Sequence, residues 1–159
     1  MNSQAPEQHE PAEHTRFAAY TRALEQVTAS DEPDLIRRIL ADPDQTMARS
    51  AIVRHIDRQA ATRYSTPAYD AWAESVAQAT AGNPFLTQRL RDWALLRSIA
   101  VTQQWDPASL AEAPNWLQLK IAATPAIPSA ALTLLAAEGR TKRIRHTARM
   151  SLVERTSNQ

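Results

Sequence analysis

The placement of proline constrains this chain more than any other feature. Of its ten prolines, four follow a capping-type residue, in Asp42-Pro43, Thr66-Pro67, Asn83-Pro84 and Asp106-Pro107, Pro33, Pro114 and Pro128 mark further breaks, and Pro125 and Pro128 flank a brief connection. Proline is tolerated in the first turn of a helix and drives the residue before it out of helical geometry. Aspartate, asparagine and threonine at that preceding position accept the unpaired N–H groups of a helix start. The intervening runs repeat their apolar residues at helical spacing, so each such proline announces a helix start. Thirty alanines favour helix directly, and two glycines are too few for the turns of a multi-stranded sheet or for a phosphate-cradling loop. The expectation is an all-α fold: a compact multi-helix domain of eight or nine short antiparallel helices joined by connections of about two to six residues.

Residues 1–12 carry two prolines and almost nothing apolar, and are expected to form a flexible tail before a single domain over 13–156, with 157–159 disordered. Within the domain, Phe17, Tyr20, Leu24 and Val27 mark a first helical stripe. Leu35, Ile36, Ile39 and Leu40 mark a second, and Met47, Ala51, Val53, Ile56 and Ala60 a third. Ser65-Thr66-Pro67 is expected to cap the next helix, which carries Tyr69, Trp72, Ala73 and Val76 and stops at Gly82. The helix opened by Asn83-Pro84 is apolar nearly all round from Trp93 to Val101, which makes it the candidate central helix. Shorter helices follow Asp106-Pro107, Pro114 and Pro128, Gly139 ends the last of these, and a basic helix closes the chain.

Function classes fall away quickly. Without cysteine there is no disulfide scaffold, thiolate metal site or thiol nucleophile. His9, Glu10, Glu13 and His14 have the wrong spacing for a zinc site, so no metal and no cofactor is expected. His55, beside Val53 and Ile56, reads as an ordinary helix histidine, and no nucleophile, base and acid set can be nominated, so no enzyme activity is expected. No run of apolar residues spans a bilayer and no signal segment opens the chain, which points to a cytoplasmic protein without a membrane partner.

Charge is distributed unevenly. The whole chain is +1, yet residues 1–34 carry a balance of −5 and residues 139–159 a balance of +5. Lys142, Arg143, Arg145 and Arg149 are therefore the candidate binding residues. Ile144, Ala148 and Leu152 are expected to pack, with Lys142, Arg145 and Arg149 free on the opposite face. The bland alternative is a solvated basic face that suits the macrodipole of its own helix. Trp105 and Trp116, near helix starts, are candidate contact residues, whereas Trp72 and Trp93 lie on core stripes. Arg97 shares a face with Leu86, Leu90 and Trp93, and is expected to snorkel or to pair with Asp92 or another acid, unless it meets an anion in a cleft.

The stretch NWLQLKIAATPAIPSAALTLLAAEGRTKRIRHTARMSL, Asn115 to Leu152, resembles the HEAT-like and leucine-rich-repeat-variant helical repeats. The matched features are the alanine-rich helix, the proline-bounded linker, the Leu-Leu-Ala-Ala-Glu-Gly turn and the basic residues alternating with Ile144 and Ala148. Residues 33–58 repeat the plan more faintly, either as a true repeat or as a chance match between alanine-rich helices. Tyr64 to Val101 departs from it. The resemblance implies a HEAT-like C-terminal helix pair and a surface that binds macromolecules. The functional expectation is a non-catalytic adaptor or regulatory protein with a protein partner. The alternative is a nucleic-acid-binding protein that uses the basic C-terminal helix.

Overall fold

The computed structural model describes residues 12–102 and 104–159. The expected tail over 1–12 and the His9-Glu10 part of the histidine cluster lie outside the described residues, Ala12 excepted. Among the described residues the fold is all-α, without a strand. It comprises α1 (Ala12–Gln26), α2 (Glu32–Leu40), α3 (Gln45–Arg63), α4 (Tyr69–Ala79), α5 (Pro84–Arg97), α6 (Pro107–Glu112), α7 (Asn115–Ala123), α8 (Ser129–Glu138) and α9 (Lys142–Ser157). A π-helical turn over Ser98–Thr102 follows α5. None of these helices is long and apolar enough to cross a membrane. The last helix runs to Ser157, one residue past the expected end of the domain.

Packing sorts the chain into two compact units, one holding residues up to Gln59 with Asp70–Thr87, the other Ala60–Tyr69 with Gln88–Gln159. The boundaries fall inside α3 and α5 and after the first residue of α4. In the first unit α1 packs on α2, and the core contains Leu24, Ile36, Ile39, Ile52, Ile56, Val76 and Leu86. α2 has Pro33 in its first turn beside Glu32 and Asp34, and Arg37 and Arg38 in its last turn, so its charges match its macrodipole at both ends. The buried face of α3 contains Met47, Ala48, Ala51, Ile52, His55, Ile56 and Ala60. Val53, expected inside, is half-buried, because Ile52 holds the inward position one residue earlier. Of the expected α1 stripe only Leu24 is buried, while Phe17, Tyr20 and Val27 are half-buried.

Several helix starts follow the sequence rule. Asn83 Oδ1 accepts from Leu86 N–H at 3.2 Å, and the Asp106 carboxylate accepts from the N–H groups of Ala108 and Ser109, both at 3.3 Å. Gly82, at φ +89°, takes the left-handed turn that ends α4 and its trailing residues. The expected cap at Thr66 does not form. Its hydroxyl donates back to Arg63 O at 2.9 Å, so it serves the end of α3, and α4 begins only at Tyr69.

In the second unit α9 packs on α8 and α7, and α6 packs on α8. Trp93, Leu96, Ile99, Leu110, Leu117, Ile121, Leu132, Leu135, Ile144 and Ala148 form its core. The apolar run at the end of α5 is not buried all round, since Ala94 and Val101 are exposed. Trp72, expected in a core, is half-buried, whereas Trp93 is buried as expected.

Candidate functional site

The basic C-terminal helix was the sequence's candidate surface, and the structure divides its cations into two sets. Arg145, Arg149 and Arg155 turn toward backbone carbonyls of the preceding elements. Arg145 Nη1 donates to Gly139 O at 2.6 Å, Arg149 Nη2 to Ala136 O at 3.1 Å, and Arg155 Nη2 to Pro125 O at 2.8 Å. Ser151 Oγ adds a bond to Ala122 O at 2.7 Å. The last carbonyls of a helix lack intrahelical partners and carry partial negative charge, so guanidinium groups placed there are favourable. Arg145 and Arg149 thus serve the C-terminal end of α8, and the expectation that they stand on a free face is corrected.

The macrodipole explanation is corrected as well. Lys142, Arg143 and Arg145 lie in the first turn of α9, its positive end, where cations are unfavourable. The carbonyls at the end of α8 supply the compensation for Arg145. Thr141 caps α9 by accepting from Ile144 N–H at 3.1 Å. Lys142 and Arg143 are exposed.

At 100° per residue, Lys142, Arg143, His146, Met150 and Val153 fall within one sector of α9, opposite the buried Ile144 and Ala148. The two apolar members of that sector are open to solvent, Met150 by 45% and Val153 by 55%. The outer face of α9 is thus basic toward its start and apolar further along. Leu152, expected to pack, is half-buried at the edge.

The two candidate tryptophans are both half-buried. Trp116 lies with its ring centroid 6.0 Å from that of Trp93, and the Arg89 guanidinium sits 3.6 Å above its ring. Its indole is therefore engaged by Trp93 and Arg89 within its own unit. Arg97 also has internal work. Its Nη1 donates to Tyr64 O and to Thr66 O, just past the end of α3, with the guanidinium 5.1 Å over Tyr69. Asp92, its expected partner, accepts from Gln88 Nε2 at 2.9 Å instead.

Gln118 carried no sequence signal and is fully buried. Its Nε2 donates to Leu110 O at 2.9 Å and Ala111 O at 3.0 Å, while its Oε1 accepts from Arg140 N–H at 2.9 Å. One amide thereby ties the end of α6 to the turn between α8 and α9. Gly139 in that turn has an ordinary φ, but a Cβ there would meet Leu135 O at 2.5 Å and Ile144 Cγ2 at 2.7 Å. Only glycine lets the two helices close this tightly.

In the first unit His55 is buried, with Nε2 3.1 Å from Glu32 Oε2, and its Nδ1 has no partner among the described residues. The pair ties α3 to the first turn of α2. Phe85 was also missed: it is 51% exposed, with the Arg49 guanidinium 4.9 Å over its ring, beside Val53 and Arg54. No group of three or more His, Cys, Asp or Glu residues is arranged to hold a metal among the described residues. No family model, curated protein or solved structure matches this chain.

Proposed function

We propose that the chain is a non-catalytic helical adaptor or regulatory protein that binds a protein partner through the outer face of α9. The observation that carries this reading is the exposure of Met150 and Val153 on one sector with Lys142, Arg143 and His146. Single exposed apolar residues are ordinary, but two large ones one turn apart, continuous with exposed cations, suit a partner that brings an apolar anchor and acidic residues. In this reading α8 and α9 act as a HEAT-like pair whose inner faces pack and whose outer helix meets the partner. The nucleic-acid alternative has less support. Two of its four candidate cations, Arg145 and Arg149, are directed at α8 carbonyls, leaving Lys142 and Arg143 as a small electrostatic footprint.

The test captures partners on the tagged full chain from lysate of its source cells, with and without nuclease, beside a Met150→Glu/Val153→Glu variant. The expected result is a nuclease-resistant protein held by the native chain and lost from the variant, whose circular dichroism is unchanged. The same protein retained by the variant overturns the surface. Nucleic acid alone, released by rising salt and lost in Lys142→Glu/Arg143→Glu, overturns the reading in favour of the alternative.

A further inference from the structure

We propose that the cleft between α5 and α6, lined by Gln88, Asp92, Leu95, Ser109, Glu112 and Pro114, binds an alkyl chain ending in an ammonium or guanidinium group. The cleft measures about 350 Å³, and Arg91 and Ala113 also line it. The surface of α9 plays no part in this proposal, which stands whether or not that surface binds a partner.

Asp92 is the anchor of the cleft. Its residue is only 7% exposed, yet it lines an open cleft. Its one hydrogen-bond partner among the described residues is the neutral amide of Gln88, one turn earlier on the same helix. No cation among the described residues lies within ion-pair distance of it. Burying a carboxylate without a counter-charge is costly, and a fold that keeps one facing a cleft gains when a cation arrives. Burial pushes the Asp92 carboxyl above its usual range, against the lowering effects of the Gln88 hydrogen bond and of the Arg89 charge.

The rest of the cleft selects the shape of the cation. Leu95, Ala113 and Pro114 offer apolar walls for methylene groups, as a lysine or arginine stem requires. The exposed Glu112 supplies a second acid, so a cationic head seated between the two carboxylates meets two opposite charges. The charged groups that bear on Asp92 are Arg89 and Arg91 on α5 and Glu112 on α6. Arg91 opposes any cation, and its removal therefore strengthens binding. A small metal ion is a poorer fit, because the cleft, at about 350 Å³, is larger than such an ion needs and brings no third acidic ligand among the described residues.

The same chemistry belongs to a free amine and to a basic side chain on a partner, and the experiment separates them. Calorimetry and amide-shift titrations on the full chain use agmatine, the uncharged amide butyramide as a control for apolar binding, and capped Gly-Arg-Gly and Gly-Lys-Gly peptides. The expected result is saturable binding of the cations and none of butyramide, weakened by about tenfold or more in Asp92→Asn and by less in Glu112→Gln. Binding is also expected to strengthen as pH rises through the titration of Asp92, and to strengthen in Arg91→Ala. Tighter binding of the peptides assigns a partner's side chain, and tighter binding of agmatine assigns a free amine. Asp92→Asn removes a buried charge and keeps the shape, so it is expected to fold with a melting temperature no lower than that of the native chain. The absence of saturable cation binding, or equal binding by folded Asp92→Asn, overturns the proposal.

Discussion

The turn between α2 and α3 and the turn between α8 and α9 each connect a short helix with proline at its start to a longer one, and at both a side-chain amide donates to helix-end carbonyls, Gln45 at the first and Gln118 at the second, but the charged groups that hold them are opposite in sign. At the first, a carboxylate gathers donors. Asp42 accepts from Tyr20 Oη at 2.7 Å, Arg16 Nε at 3.1 Å and Asp44 N–H at 2.9 Å, while Asp44 caps α3 through Met47 N–H. At the second, donors gather on carbonyls: the Gln118 amide and the guanidinium groups of Arg140, Arg145 and Arg149 all point at the ends of α6 and α8. The basic back of the sequence, with Arg140, Arg145 and Arg149 in it, is thus partly a local demand of the second turn. A carboxylate suits loose N–H groups, and a guanidinium suits loose carbonyls. Similar apolar plans in residues 33–58 and 115–152 do not extend to how their helices are joined.

The second turn is the more costly to disturb, and Gln118→Leu is expected to have the largest effect. It leaves Ala111 O without its donor and Arg140 N–H without its acceptor, and Leu110 O with the Ala113 N–H alone, for a loss of roughly 2–4 kcal/mol in denaturant unfolding. A loss below about 1 kcal/mol shows that the amide is incidental to the turn. Gly139→Ala follows, because its methyl group has to displace Ile144 or the Leu135 carbonyl, at about 1–3 kcal/mol. A neutral result there means that α8 and α9 can separate slightly without loss.

The first turn is expected to answer to pH instead. The Tyr20 hydrogen bond, the Asp44 N–H and the Arg16 charge hold the Asp42 carboxyl below its usual range. The same hydrogen bond and the Asp42 charge raise the Tyr20 phenol above its own. A depressed carboxyl contributes stability that is present above its unfolded value and is lost as pH falls through the folded value. Acid unfolding of Asp42→Asn is therefore expected to be less steep than that of the native chain over that window. Parallel curves refute the assignment. Asp92 has the opposite sign: its raised carboxyl makes the native chain bind more protons than the unfolded one, so its contribution worsens as pH rises through the folded value.

Much of the helical order was legible because its signals are local. Asn83 and Asp106 cap the helices that follow them, and the period of Leu86, Leu90 and Trp93 marks a buried stripe. The polar joints were not legible. Gln118 lies 22 residues from Arg140, and Arg97 lies 33 residues from Tyr64, so no window of sequence holds both ends of either bond. The face of α9 was misread for a related reason. A helical wheel shows which residues share a side of one helix, and it cannot show that the carbonyls of α8 end beside that side. Met150 and Val153 sit where the wheel puts them, but their exposure depends on what α7 and α8 leave uncovered.

The smallest expected effects give the sharpest contrast, because two neighbouring cations on α9 should respond in opposite directions to the same charge reversal. Arg143 sits exposed in the first turn, where the helix dipole disfavours a cation. Arg143→Glu is therefore expected to raise stability by about 0.3–1 kcal/mol at low salt. Arg145 occupies the same turn but donates to Gly139 O, at the negative end of α8. If the dipole of α9 decided both cases, Arg145→Glu would stabilise too. Because the replacement removes a donor and sets a carboxylate against the α8 carbonyls, Arg145→Glu is expected to lower stability by about 1 kcal/mol. Melting curves of the two variants, measured side by side at low and high salt, decide between a helix end answering to its own dipole and one answering to its neighbour's.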